Sequence, residues 1–159
     1  MKKLFAICLL LATTFTINAQ DKKPTKEETI AFMNRTLKST IGFEGLDGKI
    51  VEIDFNLNKY LLKTYFDIGG SGFYTSFIKS EFPWESLLVN QFQVDENNLK
   101  IRFSRNYRFK YKMDNDTEKE RLISSLDITL PLDKIESFKK ACIRLSEIAK
   151  EEYIDPFEK

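Results

Sequence analysis

A basic stretch in the second half of the chain is the clearest group of residues that could do chemistry. From Lys100 to Lys112 the sequence holds six basic residues and no acidic one. In strands, successive side chains point to opposite faces. One face then carries the polar side chains, and its basic members form what we name the basic strand face: Arg102, Arg108, Lys110 and Lys112. Such a face predicts an anionic partner, either a glycan or a lipid headgroup.

The basic strand face has a second interpretation. It fits a solvated outer surface, whose lysines discourage pairing with another sheet. The aromatic residues of the same stretch point away from it, so stacking of a single nucleic-acid strand on this face is not expected. The formal net charge of +1 gives no whole-chain argument for a nucleic-acid partner.

Aromatic residues make up 13% of the chain and suggest a different kind of site. In a small barrel they could line a pocket for an apolar ligand. The candidate lining residues are Phe73, Phe77, Trp84, Phe92, Phe103 and Phe109. Alternatively these rings simply fill the core. The chain is therefore expected to be a binding or interaction domain, or else a carrier of a small apolar ligand.

The chain contains no histidine, which excludes Ser-His-Asp and Cys-His catalysis and histidine metal sites. Glu52 and Asp54 could share a proton or hold a cation, but they also fit a solvated strand face. The acidic loop 114–118 lacks the glycine and the distal glutamate of an EF-hand. Cys142 lies on an apolar stripe, where thiols are structural. No motif predicts a catalytic residue, a cofactor or a metal, so we expect a domain that is not an enzyme; the less favoured alternative is an enzyme that works without histidine.

The first residues have the layout of a secretory signal peptide. Lys2 and Lys3 precede an uncharged run from Leu4 to Ile17, and Asn18-Ala19-Gln20 closes it. The run is too short to span a bilayer comfortably. We predict a signal peptide over 1–19, a short tail over 20–23 and one domain over 24–157.

The mature protein is then periplasmic or secreted, with no transmembrane segment. The end of the leader resembles those of small exported proteins from Gram-negative bacteria of the Bacteroidetes type. That resemblance implies a compartment and no activity. Another exported protein is accordingly a further candidate partner.

The periodicity of the chain predicts a helix at each end of the domain. Thr25 and Glu28 have the spacing of a capping box, and an apolar stripe follows them, so a helix is expected over 26–40, with Gly42 closing it. Asp133 and Glu136 repeat the capping pattern before a second stripe, which predicts a closing helix to about 151.

Between the helices the apolar period changes to two, which indicates strands. The first strand places Val51, Ile53, Phe55 and Leu57 on one face. Later strands are expected over 60–66, 73–82, 99–103, 107–113 and 122–130, with turns at 69–72 and 104–106.

About seven antiparallel strands framed by two amphipathic helices predict an α+β fold built on a bent sheet or small barrel. The element order resembles that of the pleckstrin-homology-like barrel, with an extra helix in front.

Overall fold

The computed structural model describes residues 23–114 and 116–153, and it begins with the predicted helix. Helix α1 spans Lys26–Lys38. Its capping box is formed, because the Thr25 hydroxyl accepts a hydrogen bond from the Glu28 backbone and the Glu28 carboxylate accepts one from the Thr25 backbone. The helix ends two residues earlier than predicted, and Gly42 lies in the turn that follows rather than at its end. The signal peptide prediction lies outside the described residues.

Seven antiparallel strands follow and curl into a half-barrel, which confirms the predicted α+β class. The strands are β1 Glu44–Gly45, β2 Gly48–Asn56, β3 Lys59–Ile68, β4 Ser71–Ser80, β5 Gln93–Asp95, β6 Asn98–Met113 and β7 Lys119–Thr129. Their order in the sheet is β1-β2-β3-β4-β6-β5, and β7 pairs with the other edge of β6. Helix α2, Ile135–Glu152, closes the domain.

One predicted turn is wrong. Residues 104–106 do not reverse the chain, because β6 runs through them as a single strand. The polarity of Ser104 and Asn106 instead marks an irregularity, where the register between β6 and β7 shifts between Arg102 and Tyr107. Beyond this shift the even-numbered residues of β7 no longer point into the core. Leu122 is therefore 64% exposed, although the alternation predicted it on the buried face.

A register shift also alters β2. The pairing of β2 with β3 is irregular between Ile50 and Glu52. Ile50 is therefore buried, and Val51, which the alternation placed on the inner face, is only half-buried.

The second capping box is not formed. A turn of 3-10 helix at Leu132–Lys134 precedes α2, and Lys134 takes the N-cap position without a side-chain cap. Asp133 and Glu136 instead form ion pairs with Lys134 and Lys139. The apolar stripe of α2 is correct, since Phe138, Cys142 and Leu145 are fully buried.

The core is rich in aromatic rings and joins the sheet to both helices. Two short 3-10 turns, Trp84–Ser86 and Val89–Gln91, form the corner that was expected after β4. The Trp84 indole donates a hydrogen bond to the Leu57 carbonyl at 2.9 Å, so its one polar atom is satisfied inside the core. In the part of the chain that the structure describes, no helix combines the length and apolarity needed to cross a membrane.

Candidate functional site

The basic strand face is largely paired with carboxylates from neighbouring segments. Arg108 contacts Glu81 at 3.0 Å and Glu120 at 2.7 Å. Lys110 contacts Glu118 at 2.8 Å and Glu120 at 3.5 Å. The hydrogen bond that Lys110 donates to Glu118 raises the pKa of Lys110 above its usual value. Two of the four predicted cations therefore already have anionic partners within the protein.

The other two members of this face differ. Arg102 donates a hydrogen bond to the Gln93 side chain at 3.3 Å, and its buried Nε has no partner. Lys112 is exposed, and none of the ion pairs among residues 23–114 and 116–153 includes it. Lys112 is thus the most available charge of the basic strand face.

The predicted pocket residues are divided among separate places. Trp84 and Phe103 are buried and contact each other within the core, with ring centroids 5.6 Å apart. Phe77 and Phe109 stack at 6.1 Å on the sheet. Phe92 lies under the Lys139 ammonium of α2.

Phe73, the sixth of these residues, stacks on Phe66 near the β3–β4 turn. An open groove of about 550 Å³ between α1 and α2, lined in part by Phe32 and Ala141, contains none of the six.

A row of alternating aromatic and cationic side chains crosses the sheet. Strand pairing aligns Tyr60 of β3 with Lys79 of β4, then Phe109 of β6, then Arg121 of β7. We name these four residues the cation–aromatic row. The Lys79 ammonium lies 5.8 Å from the centre of the Tyr60 ring and 5.6 Å from that of Phe109. The Arg121 guanidinium lies 5.0 Å from the centre of the same Phe109 ring.

Lys79 is unusual because it is a lysine only 8% exposed. Burial is the main cause that lowers its pKa to about 8; Asp127 and Asp47 oppose this shift, and Arg121 contributes to it. No described carboxylate lies within ion-pair distance of its ammonium. Its charge is stabilised by Asp127 and Asp47 and by the two ring faces, which attract cations through their quadrupoles.

A second row of paired residues lies beside the first, and at its β7 end it also places a cation against an aromatic ring. Leu62, Phe77, Tyr111 and Lys119 align across the same four strands. Lys119 lies 5.8 Å from the centre of the Tyr111 ring, but it also forms an ion pair with Asp116 at 3.1 Å. Arg121 differs from Lys119 in this respect, since no ion pair among the described residues includes it.

A small cavity lies on the β3 side of the cation–aromatic row. Its volume is about 20 Å³, and its lining includes Tyr60, Thr64, Asp47 and Asp127. The Thr64 hydroxyl is buried there without a hydrogen-bond partner. The volume admits nothing larger than one water molecule. A larger ligand of the row must therefore approach from the exposed Arg121 end.

The remaining sequence candidates have structural roles. Asp54 forms an ion pair with Lys38, and Asp114 accepts a hydrogen bond from the Tyr74 backbone. Cys142 is fully buried, and burial raises the pKa of its thiol. Within 23–114 and 116–153, no group of three or more acidic or cysteine side chains is placed to hold a metal ion.

Sequence reasoning missed Lys79 and Arg121, although one signal was present. Lys79 has the same strand parity as Phe73 and Phe77, so the alternation of β4 already placed it on the aromatic face. The register that brings Arg121 beside it depends on pairing between distant strands. Comparisons of this chain with protein-family models, curated proteins and solved structures find no match.

Proposed function

We propose that this protein is an exported, non-enzymatic binding domain that takes an anionic ligand at the cation–aromatic row. The observation that carries the proposal is that Lys79 and Arg121 lie against one ring, Phe109, with no described carboxylate in ion-pair contact with either.

Lys79 and Arg121 carry like charges and repel each other. Burial is the main cause of the lowered pKa of Lys79, and this repulsion adds to it, while Asp127 and Asp47 act in the opposite direction. An anion that contacted both side chains would relieve the repulsion and form charge-assisted hydrogen bonds. Because Arg121 is exposed, such a ligand has access to the row from solvent. The basic strand face is a weaker candidate for an anion site, because three glutamates already form ion pairs with Arg108 and Lys110.

The test is a nuclear magnetic resonance titration of the ¹⁵N-labelled protein with benzoate and, separately, with inorganic phosphate. Benzoate carries a carboxylate on a planar ring that can pack on Phe109. We expect amide shifts centred on Lys79, Phe109 and Arg121, and their loss in Arg121→Gln. The matched control is Lys112→Gln, which removes an exposed cation from the basic strand face and is expected to leave the titration unchanged.

The opposite pattern would overturn the proposal. If Lys112→Gln abolished the shifts and Arg121→Gln did not, the ligand would bind the basic strand face, which is the second candidate because Lys112 is exposed and has no ion pair among the described residues. If neither benzoate nor phosphate caused saturable shifts, both the cation–aromatic row and the basic strand face would be excluded as sites for these anions.

The protonation of Lys79 supplies an independent readout. A bound anion favours the charged amine, so binding near pH 8 is expected to take up protons. Calorimetry in two buffers of different ionisation enthalpy measures this uptake. Affinity for benzoate is expected to fall as pH rises above about 8, where the free protein loses the Lys79 charge.

Export is supported by the charge and apolar layout of residues 1–20. Intact-mass measurement of the protein recovered from a Gram-negative host tests it. A mature chain that begins at Gln20 in the periplasmic or extracellular fraction is expected. A chain that retained residues 1–19, or that carried a lipid adduct, would contradict export by signal cleavage.

A further inference from the structure

Apolar side chains continue from the cation–aromatic row along the same face of the sheet. The β3–β4 pairing is regular from Lys59–Ser80 to Ile68–Ser71, so every second residue of each strand shares the face of Lys79. We name as the apolar strip the residues Phe66, Phe73, Phe77, Tyr111 and Met113; two threonines, Thr64 and Thr75, share this face between the Phe77 and Phe73 positions. The strip begins beside Lys79 and ends near the β3–β4 turn.

The strip is only partly covered. Phe66 is 40% exposed and Met113 is 39% exposed, while the other three side chains are half-buried. Phe66 is nevertheless held in place, because its ring stacks on Phe73 at 5.9 Å and packs on Gly48. A Cβ at position 48 would lie 2.6 Å from the Phe66 ring, so only glycine leaves room for it.

We propose that the anionic ligand is a free long-chain carboxylate, whose head contacts Lys79 and Arg121 and whose alkyl chain lies along the apolar strip. This inference rests on the function proposed above and adds the ligand class. Charge complementarity fixes the direction of the chain, since the two cations without described ion pairs lie at one end and the exposed apolar side chains at the other.

The dimensions agree with a single extended chain. Lys79 and Phe73 are six positions apart along β4, which corresponds to about 20 Å, close to the length of an extended palmitate molecule. The strip is narrow, and it includes side chains of three neighbouring strands only. A narrow strip that ends in buried charge fits one alkyl chain better than it fits a bilayer surface.

The experiment is calorimetric titration of the protein with palmitate, butyrate and hexadecanol, each below its aggregation concentration. Palmitate is expected to bind at least about tenfold more tightly than butyrate, because each buried methylene adds affinity. It is also expected to bind more tightly than hexadecanol, which lacks the charge. Arg121→Gln should remove the advantage over hexadecanol.

Two variants separate the strip from other apolar surface. Phe73→Ser is expected to remove most of the advantage of palmitate over butyrate. Leu122→Ser is the matched control, because Leu122 is 64% exposed and pairs with Arg108 rather than with the row. It should leave all three affinities unchanged.

The outcomes distinguish this inference from the proposed function. If butyrate and palmitate bound equally, and both required Arg121, the chain would not use the strip; the inference would fail and the anion-binding function would stand. If hexadecanol bound as tightly as palmitate and Arg121→Gln had no effect, both the inference and the proposed function would fail.

Other occupants of the strip give different results. Sedimentation that showed a dimer dissociated by Phe73→Ser would identify a second copy as the occupant. Binding to phosphatidylglycerol vesicles without uptake of palmitate would indicate a lipid surface, and either result overturns the inference.

Discussion

The side-chain oxygen of Asn34, on α1, accepts a hydrogen bond from the backbone N–H of Phe55, on β2, at 3.2 Å. β1 pairs with β2 only at Gly48 and Lys49, so among residues 23–114 and 116–153 no strand pairs with this part of the β2 edge. Asn34 thus satisfies an edge donor and fixes α1 against the sheet.

Asn34→Ala is expected to lower the free energy of unfolding by about 1 kcal/mol, the typical net contribution of a partly buried hydrogen bond. Chemical denaturation measures it. Asn90→Ala, at an exposed position in a 3-10 turn, is the control and should change stability little. Equal stability of the two variants would show that Asn34 contributes nothing.

Lys79→Met is expected to stabilise the protein at pH 7, by on the order of 1 to 2 kcal/mol, because it removes a buried charge and keeps the side-chain volume. The pKa of Lys79 falls from 10.5 to about 8 on folding, so between these values the unfolded chain holds a proton that the folded one has released. The contribution of Lys79 to stability therefore rises with pH across this window, and only the native protein has it. The difference in stability between the variant and the native protein narrows as a result.

Denaturation of both proteins at pH 7 and pH 9.5 measures that gap. Burial raises the pKa values of Tyr60 and Tyr107, which lowers stability in alkali, but this effect is common to the two proteins and leaves their difference unaffected. A gap that stayed constant would mean that Lys79 does not titrate within the window.

Cys142→Ser is expected to cost about 1 to 2 kcal/mol, because it buries a hydroxyl within an apolar stripe. Cys142→Ala separates this polar penalty from the loss of side-chain volume. Labelling of the thiol in the native protein should be slow, since the group is fully buried and its pKa is raised. Rapid labelling without denaturant would contradict the packing of α2.

Reversal of Arg108 and Lys110 to glutamate is expected to lower the melting temperature. Both side chains are surrounded by Glu81, Glu118 and Glu120, so the reversal replaces attraction with repulsion. The loss should shrink as salt rises, because exposed charges are screened over about 8 Å at physiological ionic strength. Lys112→Glu, at a position without a described ion pair, should have a smaller effect. Equal effects of the two reversals would argue against the ion-pair network.

Local patterns predicted the fold well where one element decided the outcome. The Thr25 capping box and the buried stripe of α2 needed no distant partner, and both are found. The turn at 104–106 failed because polar residues also tolerate an irregularity within a long strand. The predicted inward positions of Val51 and Leu122 are wrong for a related reason. Both lie near register shifts, and register depends on the neighbouring strand as well as on the strand itself.

The site was less predictable than the fold. The basic stretch was visible, but the glutamates that neutralise it come from separate segments of the chain. Lys79 and Arg121 are isolated in sequence and become neighbours only through three strand pairings. The cations that are close together in sequence, Arg108 and Lys110, are therefore already paired with glutamates. Lys79 and Arg121, which have no described ion pair, are far apart in sequence.

Strand β6 also governs how the chain can reach this structure. It pairs with β4, β5 and β7, so within the described residues it alone links the β1–β4 meander to the rest of the sheet. Hairpins of the meander close short loops early, whereas pairing of Ser80 with Arg108 closes a long one and is slow. During synthesis the β1–β4 meander forms before β6 is available, so Phe77 and its neighbours remain exposed to solvent until β6 pairs with β4. The interval before β6 docks is therefore the period in which the nascent chain is most prone to aggregate.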